Sequence, residues 1–149
     1  MSLIIKHFSE LTTRELYEIL KMRQEIFVVE QNCPCMDIDD LDLDATHIFA
    51  QDESGRVTGC LRVFFRDANE GIAQIGRVVT LVHGQGLGGE LLHAAVLFAF
   101  EKMHASKIYL HAQTYAIGYY AKEGFRVVSE EFMEDGIPHV EMECVREDG

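Results

Sequence analysis

The sequence predicts a single α/β domain, built on a mixed sheet with helices on both faces. Strand and helix patterns alternate along the chain, strand pairs of hairpin type interrupt this alternation, and 48% of the 149 residues are apolar. Hairpins make antiparallel neighbours, whereas a helix that crosses between two strands makes them parallel, so the combination favours a mixed sheet. A chain of this length buries about 70% of its unfolded surface, and we expect one domain over residues 1–149.

The first elements are a short strand and a long helix. Residues Leu3 to Phe8 are typical of a strand, and Thr12 or Thr13 can cap a helix that runs to about Glu30. The apolar face of this helix consists of Leu16, Ile19, Leu20, Ile26 and Phe27.

An acidic loop follows, from Gln31 to Thr46. It contains five closely spaced aspartates: Asp37, Asp39, Asp40, Asp42 and Asp44. Counting from Asp40, however, Ala45 stands where an EF-hand requires glycine and Gln51 where it requires glutamate, so calcium binding is not predicted. The loop is expected to be solvated, or to form a wall for a cationic substrate.

Six strands and two helices are predicted in the rest of the chain. His47 to Gln51 and Val57 to Phe65 form a hairpin, and Ile72 to Leu81 is an apolar strand typical of the centre of a sheet. The later elements are an amphipathic helix from Leu87 to about Met103, a strand from Ile108 to Gln113, a short helix from Tyr115 to Glu123 that Gly124 ends, and strands from Phe125 to Phe132 and Ile137 to Val145.

The charge balance excludes some classes of partner. Lys and Arg number 13 against 25 Asp and Glu, a formal net charge of -12. This field repels phosphates and no basic cluster offsets it, so we expect no nucleic-acid binding. An acidic surface favours a cationic partner such as an amine, although it also serves solubility. The apolar stretches are far shorter than the ~20 residues that cross a bilayer, and no secretion leader is evident, which predicts a cytoplasmic protein without membrane contact.

The cysteines are expected to be reduced and free of metal. Cys33, Cys35, Cys60 and Cys144 make an even number, but a chain with a sizeable core needs no disulfides. Cys33 and Cys35 resemble half of a metal site. Since no second Cys or His pair stands at zinc-like spacing, we predict no metal.

The most informative segment is a glycine-rich turn between a strand and a helix. Gly84, Gly86 and Gly88 alternate, and Gly89 follows directly. Without Cβ atoms, the backbone N–H groups can approach a ligand closely, and the N-terminus of the helix adds a partial positive charge. Together they form a diphosphate site that needs no basic side chain. A P-loop is excluded because Gly-Lys-Ser/Thr is absent, whereas a dinucleotide fingerprint and a merely close-packed helix start stay open.

This turn and three further segments resemble the GNAT superfamily of acetyltransferases. The family signature Q/R-x-x-G-x-G/A is matched by His83, Gly86 and Gly88, with histidine in the place of glutamine or arginine. Residues 116–125 are similar to the family's A-x-x-F-Y-x-x-x-G-F segment. Residues 23–31 and 135–139 resemble the ElaA-like branch of the superfamily.

The resemblance implies a mostly antiparallel sheet of six to seven strands and a direct transfer of acetyl from acetyl-CoA to an amine, without an acyl-enzyme. It implies that Tyr120 protonates the departing thiolate and that Gln113 bonds the cofactor's amide. The other implied cofactor contacts are Val78, Val79 and Thr80 for the pantetheine arm, and Gly84, Gln85, Gly86, Leu87, Gly88 and Gly89 for the pyrophosphate.

A base must also remove a proton from the ammonium form of the amine. His139 is the first candidate, because histidine titrates near neutrality and this one follows a proline-fixed turn, and His111 is the second. The alternative is that both are ordinary strand histidines. His111 and Glu30 are the candidate contacts with the amine. Arg77 lies in an apolar strand and needs an acidic partner, which Glu25 or Glu30 could supply.

Other interpretations stay open at this point. The chain could be a non-catalytic acyl-CoA-binding or sensing module on the same fold, or could bind a nucleotide at the glycine turn. The amine can be a small molecule or a peptide. A homodimer is possible, because the sheet is expected to end in two long strands.

Overall fold

The computed structural model describes residues 3–81 and 86–146, which form one sheet of eight strands with helices on both faces. The strand order is β1-β2-β3-β4-β5-β8-β6, and β7 also pairs with β8. Only β4 and β5 are parallel, so the predicted mixed and mostly antiparallel sheet is confirmed. The strands are β1 (Ile4–His7), β2 (Thr46–Gln51), β3 (Val57–Asp67), β4 (Ile72–Thr80), β5 (Lys107–Gln113), β6 (Arg126–Val127), β7 (Phe132–Glu134) and β8 (Ile137–Val145).

Three helices cover the sheet: α1 (Thr13–Arg23), α2 (Leu87–Leu97) and α3 (Ile117–Ala121). Thr12 caps α1, since its hydroxyl accepts from the N–H of Glu15 at 3.0 Å while the Glu15 carboxylate accepts from the N–H of Thr12 at 2.8 Å. Helix α1 continues in π-helical turns over Gln24–Glu30, as α2 does over Phe98–Lys102. Both long helices therefore reach the predicted ends. In the described part of the chain, no helix is long and apolar enough to span a bilayer.

The core has two layers because β3 is apolar on both faces. Leu61 and Val63 pack towards α2 in the larger cluster, whereas Val57 and Cys60 pack towards α1 in the smaller one. Such double-sided burial marks a strand in the interior of a covered sheet. Successive side chains of a strand point to opposite faces, so the residues of the neighbouring strands also alternate between the α1 face and the α2 face of the sheet.

The sheet splits between β4 and β5. The two strands pair only from Ile72 to Gln74, and beyond Gln74 and Tyr109 they separate. On its other edge β4 follows β3 until a bulge, where the partner shifts from Gly76 opposite Arg62 to Val79 opposite Cys60. The extra residues at a bulge bend the strand, so the last half of β4 leaves its edge facing β5 open.

The predicted strand from Phe125 to Phe132 is interrupted in the structure. Only β6 and β7 at its two ends pair with β8. Between them the hydroxyl of Ser129 accepts from the N–H of Glu141 at 2.8 Å, taking the place of a backbone carbonyl. The sheet therefore has eight strands rather than six or seven, and it ends in the two-residue β6 rather than in two long strands. The homodimer was predicted from two long strands at the end of the sheet, and the structure does not have them. The homodimer therefore stays a prediction.

Candidate active site

A cavity of about 520 Å³ lies where β4 and β5 separate. Its walls are the loop after α1, the bulge of β4, the end of β5 and the β7–β8 hairpin. His111 and His139 both line it. Their neighbours along the strands, Leu110 and Val140, belong to the larger core cluster, which packs against α2. The histidines therefore occupy the face of the sheet opposite α2.

The strand predicted to meet the pantetheine arm has a free edge. Val78 lines the cavity, while the side chain of Val79 is buried in the α1 cluster and Thr80 pairs with Gly59 of β3. All three lie beyond the last β4–β5 pair. Their edge facing β5 can hydrogen-bond an extended amide chain, as another strand would.

The described part of the glycine turn is the start of α2. Gly86 is the N-cap and has a φ of 79°, a conformation that glycine adopts without strain. A Cβ at Gly86 or Gly89 would meet no described atom within 4 Å. Leu87 is buried and packs on β3, where Gly59 gives it room, since a Cβ there would lie 2.8 Å from Leu87 Cδ2. His83, Gly84 and Gln85 lie outside the described residues.

The two tyrosines of α3 have different surroundings. The hydroxyl of Tyr119 donates to the carbonyl of Gly88 and so ties α3 to the start of α2. Tyr120 is buried and lines the cavity, with its ring against those of Tyr119 and Phe125 at centroid distances of 4.9 and 6.1 Å. Burial raises the pKa of Tyr120 well above its usual value, so the phenol retains its proton at neutral pH. Of the two tyrosines of α3, Tyr120 is therefore the one that can reach a ligand in the cavity.

Gln113 stands at the end of β5, where it pairs with His139 of β8. It lines the same cavity as Arg77 and Val78 of β4.

A carboxylate that was not among the predicted site residues connects the two histidines. Glu134 Oε1 lies 2.8 Å from Nδ1 of His111, and its Oε2 lies 3.4 Å from Nε2 of His139. The Nδ1–H of His139 donates to the carbonyl of Ile137 at 2.7 Å. A carbonyl can only accept, so this bond places a proton on Nδ1 and leaves Nε2 to take up another.

The hydrogen bonds continue away from the cavity. Nε2 of His111 lies 2.7 Å from the hydroxyl of Tyr109, which donates to Glu141 Oε1 at 2.7 Å. Burial and the bond to Glu141 raise the pKa of Tyr109. Tyr109, His111, Glu134, His139 and Glu141 thus form one chain of polar groups on β5, β7 and β8, which we call the histidine network. Of these five residues, only His111 and His139 were predicted to belong to the site.

The acidic loop forms one wall of the cavity, and three of its five aspartates, Asp37, Asp39 and Asp42, bind arginines, whereas Asp40 and Asp44 are exposed. The fully buried Arg23 donates to both oxygens of Asp42, at 2.7 and 3.2 Å, and through Nε to Asp37 at 3.0 Å. Arg62 donates to both oxygens of Asp39 at 2.7 Å and to Asp42 at 3.1 Å. Although burial opposes it, the pKa of Asp42 is lowered by the bond to Arg23 and by the charges of both guanidiniums.

Arg77 completes this group, and its predicted partners were wrong. Its Nη2 donates to the carbonyl of Asp37 at 3.0 Å and to Asp39 Oδ2 at 3.2 Å. Arg77 has a φ of 53° at the bulge, and these bonds hold it there. Glu25 instead pairs with Arg56 at 3.1 Å.

Glu30 does not reach the cavity. It is exposed at the end of the π-helical turns, and its neighbour Gln31 contributes to the wall instead. Of the two candidate contacts with the amine, the structure therefore brings only His111 to the site.

Comparison with known proteins identifies the family. The model of the acetyltransferase (GNAT) domain matches residues 22–146. The chain belongs to the GNAT acetyltransferase family. It is 35% identical to protein ElaA of Escherichia coli over 140 residues, which cover 91% of each chain.

Two solved structures of the same fold are similar over almost their whole length. An acyl-CoA N-acyltransferase from Pseudomonas aeruginosa has a TM-score of 0.89 and 38% identity, with 97% of this chain and 100% of that chain covered. Escherichia coli ElaA has a TM-score of 0.88 and 32% identity, with 96% and 98% covered. Membership of the GNAT family supports acyl transfer from an acyl-CoA to an amine as the general activity.

Proposed function

We propose that the chain is an acetyl-CoA-dependent N-acetyltransferase that transfers acetyl directly to a cationic amine. The observation that carries this proposal is the gap between β4 and β5. Tyr120 reaches it from the side of α2, and His139 faces it from the opposite side of the sheet. A thioester in the gap would therefore meet an acid on one side and a base on the other.

The cofactor would lie along the open edge of β4. Val78, Val79 and Thr80 offer backbone groups to the pantetheine amides, with Gln113 as a polar contact from β5. The pyrophosphate would occupy the start of α2, where first-turn N–H groups have no partner within the helix. Gly84 and Gln85 are proposed to complete this cradle, together with Gly86, Leu87, Gly88 and Gly89.

The histidine network supplies the base. Nε2 of His139 takes one proton from the ammonium, and the carboxylate of Glu134 stabilises the resulting imidazolium. The amine nitrogen then bonds to the thioester carbon and the C–S bond breaks. Tyr120 gives its proton to the departing thiolate, and the second proton that the nitrogen loses restores the phenol. Because burial raises the pKa of Tyr120, this transfer depends on the position of the phenol beside the sulfur.

The charges of the cavity favour a cationic acceptor. Asp37 and Asp39 are neutralised by arginines, but Glu134 and Asp135 have no arginine or lysine partner among the described residues. Their negative charge attracts an ammonium group and disfavours an anionic acceptor.

A screen of amines against acetyl-CoA, with release of the free CoA thiol as the readout, tests this proposal. We expect turnover with a primary amine, and mass spectrometry of the product should show one added acetyl group. Tyr120→Phe serves as the matched control. Tight binding of acetyl-CoA without turnover for any small amine or peptide would instead favour a non-catalytic acyl-CoA-binding module.

A further inference from the structure

Three metal-binding side chains meet at the rim of the cavity, outside the histidine network. The thiols of Cys33 and Cys35 and the carboxylate of Asp135 all lie within 4.8 Å of one another. The cysteines belong to the loop after α1, and Asp135 stands in the β7–β8 turn about a hundred positions later. We call these three residues the thiol cluster.

The backbone holds both segments of the thiol cluster in place. The N–H of Cys33 donates to the carbonyl of Val28 at 3.0 Å, which anchors the loop to the end of the long helix. Asp135 and Gly136, with φ values of 51° and 77°, form the tight turn between β7 and β8. The two anchors are independent of each other, so the cluster is assembled by the fold.

The separations suit a small divalent ion. Zinc lies about 2.3 Å from thiolate sulfur and about 2.0 Å from carboxylate oxygen, so tetrahedral ligands are about 3.5–3.8 Å apart. Contacts within 4.8 Å come within this range by rotation of side chains alone. The thiol of Cys35 donates to the carbonyls of Cys33 and Phe27 at 3.6 and 3.9 Å, which are long contacts that an ion can replace.

We propose that Cys33, Cys35 and Asp135 bind a thiophilic divalent cation of the zinc type. Two thiolates and a carboxylate are the soft and borderline ligands that zinc accepts. All three residues line the cavity, so a fourth ligand can reach the ion from it. The spacing of Cys33 and Cys35 in the sequence did not predict this site, because the third ligand is distant along the chain.

The electrostatics agree with the geometry. Two thiolates beside a carboxylate repel one another, and a divalent cation removes this repulsion as it displaces the thiol protons.

Metal titration of the full chain tests the proposal without reference to its activity. The protein is kept reduced and anaerobic, equilibrated with Zn²⁺, freed of excess ion by gel filtration and analysed for metal. We expect one zinc per chain. Co²⁺ should give the near-ultraviolet absorption of thiolate-to-cobalt charge transfer, which carboxylates alone do not produce.

Variants separate this site from adventitious binding. Cys35→Ser and Asp135→Asn should each weaken Zn²⁺ binding about tenfold or more. Cys144→Ala, on the other face of the sheet, should bind as the wild type does. Substoichiometric zinc in the reduced wild type, or unchanged affinity in both Cys35→Ser and Asp135→Asn, would overturn the proposal, as would a Cys33–Cys35 disulfide that persists in the reductant.

Discussion

The Nδ1–H of His139 donates a 2.7 Å hydrogen bond to the carbonyl of Ile137. This bond aims Nε2, the nitrogen that can accept a proton, at the cavity and at Glu134. If His139 is the base, His139→Gln should lower kcat/KM by about 10²–10⁴-fold. The pH profile of the remaining activity should lose its acidic limb.

The matched control for His139 is His93→Gln, since His93 is an exposed histidine of α2 that pairs with Glu123. This variant should keep both the rate and the pH profile. An acidic limb that survives in His139→Gln would assign the proton to water or to His111 instead.

Tyr120→Phe should separate chemistry from binding. Removing the hydroxyl takes away the proton for the thiolate but leaves the packed ring, so kcat should fall about tenfold or more while the Kd of acetyl-CoA stays constant. Tyr119→Phe should instead raise the Kd of acetyl-CoA and leave kcat unchanged, because it loses the bond to Gly88 that holds the start of α2. Steady-state kinetics and calorimetry on both variants check this, and equal turnover in Tyr120→Phe and wild type would remove the proposed acid.

Glu134→Gln keeps the shape of the side chain but removes the charge between His111 and His139. Charged hydrogen bonds contribute about 1.5–3 kcal/mol, so kcat should fall about tenfold or more. Glu131→Gln, an exposed position three residues earlier, is the control and should be silent. Because Glu134 acts through the histidines, KM for acetyl-CoA should not change; if KM carries the whole loss, the positioning role is wrong.

The aspartate–arginine group should control stability in acid. Asp42→Ala leaves the buried Arg23 without its bidentate partner and should cost about 3–5 kcal/mol of unfolding free energy. Since the pKa of Asp42 is lowered in the fold, its contribution is complete above the unfolded carboxyl pKa of about 3.9 and is lost as the pH falls through the folded value.

Urea unfolding between neutral pH and pH 3 measures this contribution. Asp42→Ala should be least stable relative to wild type near neutrality, and the difference should narrow in acid. Asp44→Asn, an exposed position in the same loop, should behave as the wild type does. A constant difference at every pH would mean that the ion pairs do not carry the effect.

The sequence predicted what depends on local pattern. The strand from Val57 and the helix from Leu87 follow from apolar periodicity. The short helix α3 ends at Ala121, earlier than predicted, and Gly124, with a φ of 95°, lies in the turn that follows it. The partner of Arg77 could not be predicted, because Asp37 and Asp39 approach it only when the loop folds over β4. Glu134 was missed for the same reason, since a residue beside a turn has no periodicity that indicates which side chains it meets.

The central claim, a diphosphate at the start of α2, is tested most directly by two substitutions of Gly89. Both should raise the melting temperature, since alanine suits a helix better than glycine and glutamate suits its first turn. Titration with CoA should show near-normal affinity for Gly89→Ala, but a loss of about tenfold or more for Gly89→Glu, whose carboxylate would repel the phosphates. Equal CoA affinity in the two folded variants would contradict the account.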